Sequence, residues 1–189
     1  GKELDSLTDV ISFGVAPGFI IYFWSLNEIG KFGWMLVLIY TVCCALRLAR
    51  FNITEIDENE NWKINFFEGV PAPAAAGLVL LPLILSISDL FKFENYTMLS
   101  ATMIFVTSIL MVSNLPTYSL KRILIPRNLT IFLLLGLGIY ISLLILYTFQ
   151  TLFFTGVLYL VLIPLSYFHY KHKNKTTLKI KMTDDEDED

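Results

Sequence analysis

The chain has 189 residues, 55% of them hydrophobic and 16% charged, with a mean hydropathy of +0.63. That is more apolar material than one soluble domain of this size ordinarily buries, so lipid is expected to cover part of it. The formal net charge of −3 says little about partners, because the acidic excess sits in the last six residues, Asp184 to Asp189.

Predominantly apolar runs of about 20 residues, long enough to cross a hydrocarbon core of ~30 Å, recur six times. They lie at roughly 6–25, 31–50, 72–90, 96–116, 129–148 and 151–170. Only helices and closed barrels satisfy every backbone polar group in lipid, and these runs lack the in-out alternation of a barrel strand. The expected fold is therefore all-α: a polytopic transmembrane helical bundle of six spans within residues 1–170, followed by a disordered charged tail at 171–189.

The opening nine residues, GKELDSLTD, space Gly1, Asp5 and Asp9 by four, which stacks them on one face of a helix. That helix runs into VISFGVAPGFIIYFW, so two carboxylates stand at or just inside the edge of a span, where an unpaired charge costs at least roughly a few kcal/mol. Carboxylate oxygens at the end of a bundle suit Mg²⁺ or Mn²⁺, which also grip phosphate oxygens. Gly1, with no side chain, would let a phosphate approach the backbone. The plain alternative is a pair of interfacial acids facing water.

The second run ends in ALRLARFN, where Arg47 and Arg50 are three apart and share a helix face, with Asn52 beside them. Arginine in a membrane helix faces the bundle interior or a wet cavity, and its planar fork suits carboxylate or phosphate. The alternative is snorkelling to lipid phosphates. Cys43 and Cys44 are adjacent within the same run and are expected to be small packing residues.

The longest hydrophilic interruption is 52–71, whose acidic part, Glu55 to Glu60, is expected to be a solvated linker. Its end is different. In FFEGVPAPAAAG, Gly69, Pro71 and Pro73 predict a rigid turn and Pro73 a helix start, after which Ala72 to Ala76 offer a small-residue face for close packing. Pro82 and Pro164 fall inside later runs, where kinks are tolerated. Lys121 and Arg122 follow the fourth run, either as topology anchors or as part of an anion-binding rim. Trp24, Trp34 and Tyr96 are expected near the opposite boundary as an aromatic belt, and His169 and His172 lack a partner cluster.

Local lysines and arginines set the expected orientation. Lys121, Arg122 and Arg127 lie in one connection and Lys171, Lys173, Lys175, Lys179 and Lys181 in the tail, whereas the opposite side offers only Lys31 and Lys92. The positive-inside rule then puts Gly1, 51–71, 117–128 and the C-terminus in the cytoplasm.

Gly1, Asp5 and Asp9 match the last three fixed positions of D-x2-D-G-x2-A-R-x8-G-x3-D-x3-D, and the chain thereby resembles the CDP-alcohol phosphatidyltransferase family. LDSLTDVISFGVAPG, CALRLARFN, FEGVPAPAAAG and MVSNLPTYSLKR look like the phosphatidylserine-forming branch of that family, a likeness covering roughly residues 1–125; beyond it the chain matches only as hydrophobic spans and a tail. The earlier half of the motif is absent. An N-terminal portion carrying it is therefore expected to precede Gly1, and residues 1–189 alone are expected to bind metal poorly and to be inactive.

The resemblance implies transfer of a phosphatidyl group from CDP-diacylglycerol to the hydroxyl of L-serine, with release of CMP. It makes Asp5 and Asp9 ligands of a divalent metal, Mg²⁺ or Mn²⁺, and Asp9 the catalytic base. It places Gly1 and Asp5 beside CDP-diacylglycerol, and Arg47, Arg50 and Asn52 around the acceptor or a phosphate. A homodimer in a bacterial inner membrane, surrounded by membrane lipids, is in keeping with the family; nucleic acid is not an expected partner. Glycerol 3-phosphate, an inositol phosphate or choline are the alternative acceptors. A transporter or assembly factor is the alternative of another class.

Overall fold

The computed structural model describes residues 1–54, 66–88, 90, 93–113, 116–118 and 127–163. The all-α expectation holds, and the six apolar runs correspond to six helical segments. The first is composite: α1 (Lys2–Asp9) passes through a π-helical turn, Val10–Val15, into α2 (Ala16–Trp24). A 3₁₀ turn, Leu26–Ile29, leads to α3 (Lys31–Thr54). Then follow β1 (Phe66–Glu68), α4 (Ala72–Ser88), α5 (Tyr96–Val112), β2 (Pro116–Tyr118), α6 (Arg127–Leu146) and α7 (Thr148–Ile163).

The hydropathy pattern predicts one regular helix over 6–25; Pro17 is the reason the helix departs from that. A proline has no N–H for the carbonyl four residues back, here Phe13, and its ring crowds that carbonyl. The backbone responds with a wider turn, in which the Ala16 N–H bonds the Ile11 carbonyl five residues earlier. The Phe13 carbonyl is taken instead by the Tyr40 hydroxyl of α3, at 2.7 Å.

Close packing of α2 on α3 rests on glycines. A Cβ on Gly14 would lie 3.1 Å from the Cys44 Cβ, and one on Gly18 2.9 Å from the Val37 Cγ1. Cys44 is fully buried and unpaired, so it packs as a small side chain. Ala72, Ala75 and Ala76 turn inward from α4 as expected of the small-residue face, and Pro82 lies within that helix. Ile21, Tyr40, Cys44, Ala75, Val79, Ile104 and Ile163 join these helices in one core.

Contacts at the two ends give the helices their directions. At one end Trp24 meets Tyr96, with ring centroids 5.7 Å apart, and Thr97 donates to Glu28 at 2.6 Å. Trp34 packs nearby on Phe19 and Tyr22, so Trp24, Trp34 and Tyr96 belong to an aromatic cluster at this end. At the other end Arg50 of α3 reaches the last turn of α5, its Nη1 donating to the Val112 carbonyl at 3.5 Å. There Gly69 holds φ +78°, and a Cβ on it would come within 2.9 Å of the carbonyls of Met111 and Ser113. Only glycine meets both conditions. Gly69 follows directly on β1, which pairs antiparallel with β2 in the register Phe66↔Tyr118, Phe67↔Thr117 and Glu68↔Pro116. This ribbon is absent from the hydropathy reading, which has no signal for three-residue strands.

Leu4–Trp24 and Lys31–Arg50 are long and apolar enough to cross a membrane. α4 and α5, with 17 residues each, span about 26 Å at 1.5 Å per residue, a little under a typical hydrocarbon core. Along α6 large apolar side chains from Ile131 to Leu146 are exposed on every side. Pro164, His169, His172 and the tail at 171–189 lie outside the described residues, as do Glu55 to Glu60, Lys92, Lys121 and Arg122.

Candidate active site at one end of the bundle

The end opposite the aromatic cluster gathers the start of the α1–α2 helix, the last turns of α3 and α5, the Gly69 turn and the end of α7. α1 is regular from its start, with the Asp5 N–H bonded to the Gly1 carbonyl at 3.1 Å, so Gly1, Asp5 and Asp9 do stack on one face. Gly1 and Asp5 are exposed and Asp9 is half-buried. Among the described residues no ion pair or hydrogen bond engages either carboxylate.

The π turn follows directly on Asp9. Bonding over five residues brings Gly14, five after Asp9, back towards the side that Asp9 occupies. Gly14 is the residue that abuts Cys44. The Cys44 thiol accordingly lies within electrostatic reach of both the Asp9 carboxylate and the Arg47 guanidinium. The acidic helix and the arginine helix therefore meet across a glycine–cysteine contact.

Arg47 and Arg50 diverge in their surroundings. Arg50 is exposed and holds the end of α5. Arg47 is half-buried, and its Nε, wholly shielded from solvent, has no hydrogen-bond partner among the described residues. Asn52 lies in the last turn of α3, and its side chain is outside the described set. The structure also brings in a residue that the sequence reading passes over. Tyr159 of α7, whose hydroxyl is likewise buried without a partner, lies within electrostatic reach of Arg47. A tyrosine in an apolar run carries no motif, and only the folded chain brings it within electrostatic reach of an arginine 112 positions earlier.

Asp5 and Asp9 fit a hard divalent cation in chemistry, being oxygen donors one turn apart with no competing partner. They do not fit it in number: among the described residues no group of three or more His, Cys, Asp or Glu side chains could hold an ion. A divalent cation on these two acids would need further oxygen ligands.

The sequence model of the family described as CDP-alcohol phosphatidyltransferase matches residues 1–117, and a second, CDP-alcohol phosphatidyltransferase 2, matches residues 128–164. The chain is 37% identical over 142 residues to a CDP-diacylglycerol–serine O-phosphatidyltransferase of Mycobacterium bovis, covering 74% of this chain and 49% of that protein. It is 39% identical over 134 residues to a protein of the same name from Helicobacter pylori, covering 71% of this chain and 54% of that one. A Bacillus subtilis protein of that name is 40% identical over 75 residues, 40% of this chain and 39% of its own length. The chain thus spans about half the length of the first two relatives. A family match over residues 1–117, embracing the Gly1–Asp5–Asp9 face, both arginines and the Gly69 turn, means that this chain belongs to the CDP-alcohol phosphatidyltransferase family.

Proposed function

We propose that the protein containing this chain is a phosphatidylserine synthase, moving the phosphatidyl group of CDP-diacylglycerol to the hydroxyl of L-serine with release of CMP. The observation that carries this reading is the meeting of the Asp5–Asp9 face with the Arg47 helix across Gly14 and Cys44. Negative ligands for a cation and a positive ligand for an anion stand at one end of one bundle, as a diphosphate substrate requires. The names of the bacterial relatives supply the acceptor.

In this reading Asp5 and Asp9 hold Mg²⁺ or Mn²⁺, together with carboxylates from the part of the protein not included in this chain. When bound, the metal neutralises the diphosphate and the charge that develops on the departing CMP. Gly1 leaves the backbone open beside the diphosphate, next to Asp5. Asp9, the deeper of the two acids, takes the proton from the serine hydroxyl, a weak nucleophile that needs a base within hydrogen-bond reach. Arg47 binds an anionic group of a substrate. Arg50 and Asn52 stand at the rim, where Arg50 also steadies α5.

The bundle lies in a membrane, its six helices spanning and its acidic and arginine-rich end at the cytoplasmic face. Exposed apolar side chains around α6 support lipid as the surrounding medium. A helix apolar on every side is otherwise found only in a core. Diacyl tails then stay in lipid while serine and CMP exchange with the cytosol, and a homodimer is compatible with this arrangement.

The test is CMP release by the full-length protein in detergent micelles containing CDP-diacylglycerol, with L-serine, glycerol 3-phosphate, an inositol phosphate or choline in turn. Metal-dependent release with serine alone is expected. Release with another acceptor would move the protein to a different branch of the family, and no release with any of them would favour a transporter or assembly factor.

A further inference from the structure

We infer that Tyr159 is a substrate-binding residue: its hydroxyl and the Arg47 Nε together hold one anionic oxygen, of a phosphate or of a carboxylate. The inference rests on the proposed function and adds a ligand-binding residue from α7, a helix to which the sequence motifs assign no role.

Two buried polar atoms without partners are costly, and native proteins leave few of them. Here the Arg47 Nε and the Tyr159 hydroxyl are both wholly shielded and both unpaired among the described residues. They come from different helices, yet each group lies within electrostatic reach of the other. The placement of α7 that achieves this is built in. Gly156, three residues before Tyr159, lets the Leu81 side chain of α4 approach to 3.0 Å of where its own Cβ would be. Ile163, four residues after Tyr159, is buried in the same core as Cys44 and Leu48, the neighbours of Arg47 along α3.

The guanidinium N–H can only donate, whereas the phenol can donate or accept. Neither bonds the other here, and an anionic oxygen between them would satisfy both. Ser25 and Ser100 also have unpartnered hydroxyls, but they belong to the opposite end, where α2 finishes and α5 begins. Within the reaction, the available anionic oxygens are the lipid diphosphate and the serine carboxylate.

The experiment compares full-length wild type with Tyr159→Phe, which removes one oxygen. Apparent KM is measured separately for L-serine and CDP-diacylglycerol, alongside the rise in unfolding temperature that each substrate alone produces. The expected result is a KM raised about 10- to 100-fold for one of the two, with a matching loss of thermal protection by that substrate. A rise for serine identifies its carboxylate as the ligand, and a rise for the lipid identifies the phosphate. Without substrate, the variant should unfold no earlier than wild type. Unchanged KM for both substrates, or a fall in kcat alone, overturns the inference. So does a variant that fails to fold, because the hydroxyl would then have a structural partner. An inactive wild type would sink the proposed function itself, whereas an active wild type matched by Tyr159→Phe sinks only the role of Tyr159.

Discussion

The Tyr40 hydroxyl donates to the Phe13 carbonyl across the α2–α3 interface, at 2.7 Å, from a side chain with no solvent exposure. The bond completes what Pro17 leaves undone, since no N–H stands four residues after Phe13. It also fixes the π turn directly after Asp9. The turn that follows Asp9 thus involves a proline and a tyrosine from two different helices.

Removing that hydroxyl by Tyr40→Phe takes the partner from a part-buried carbonyl and should cost about 1 kcal/mol of stability. Pro17→Ala restores the missing N–H, so Tyr40→Phe should cost less in the Pro17→Ala background than in wild type. Denaturant unfolding of the four proteins gives the coupling. Strict additivity would mean that Tyr40 and Pro17 do not act through the Phe13 carbonyl.

Gly69→Ala should be among the most damaging small substitutions in the chain. Its φ of +78° strains any side chain by roughly 1–3 kcal/mol, and the new Cβ would press on the Met111 and Ser113 carbonyls. Lower unfolding temperature and yield of folded protein are expected. Gly77→Ala, where a Cβ meets nothing within 4 Å, is the control and should be neutral or slightly stabilising.

The two arginines should separate in their effects. Arg47→Ala should raise an apparent KM by about 10- to 100-fold, as loss of a buried charge-assisted bond does. Arg50→Ala removes an exposed cation from the end of α5 and should cost about 0.3–1 kcal/mol of stability, with a smaller kinetic effect. Steady-state kinetics and thermal unfolding on both variants check this. Equal kinetic changes would place both in the same substrate contact.

Much of the fold was legible in hydropathy. Apolar runs of span length located all six helical segments, and the residues FFEGVPAPAAAG announced a turn, a helix start and an inward alanine face because each uses a residue whose conformational limits are local. What was not legible depends on partners distant in sequence. Pro17 stood in the first run as plainly as Pro82 in the third, but its consequence, a π turn capped by Tyr40, requires knowing that α3 packs there. β1 and β2 are too short to carry an alternation. The acids were visible as a face by their spacing of four, and Arg47 as a charge that lipid would not tolerate. That Arg47 rather than Arg50 is the shielded one, and that Tyr159 joins it, are facts of packing alone.

The central claim is that Asp5 and Asp9 help bind the metal that grips the lipid diphosphate, with Asp9 also the base. It is tested most directly by Asp9→Asn in the full-length protein, an isosteric change that removes charge and basicity together. Two readouts are needed: serine-dependent CMP release across a Mn²⁺ titration, and Mn²⁺ binding measured by electron paramagnetic resonance. The account predicts loss of turnover by at least ~100-fold, weaker Mn²⁺ binding and an unfolding temperature close to that of wild type without metal. Near-normal turnover with unaltered Mn²⁺ affinity in a folded Asp9→Asn protein would contradict it.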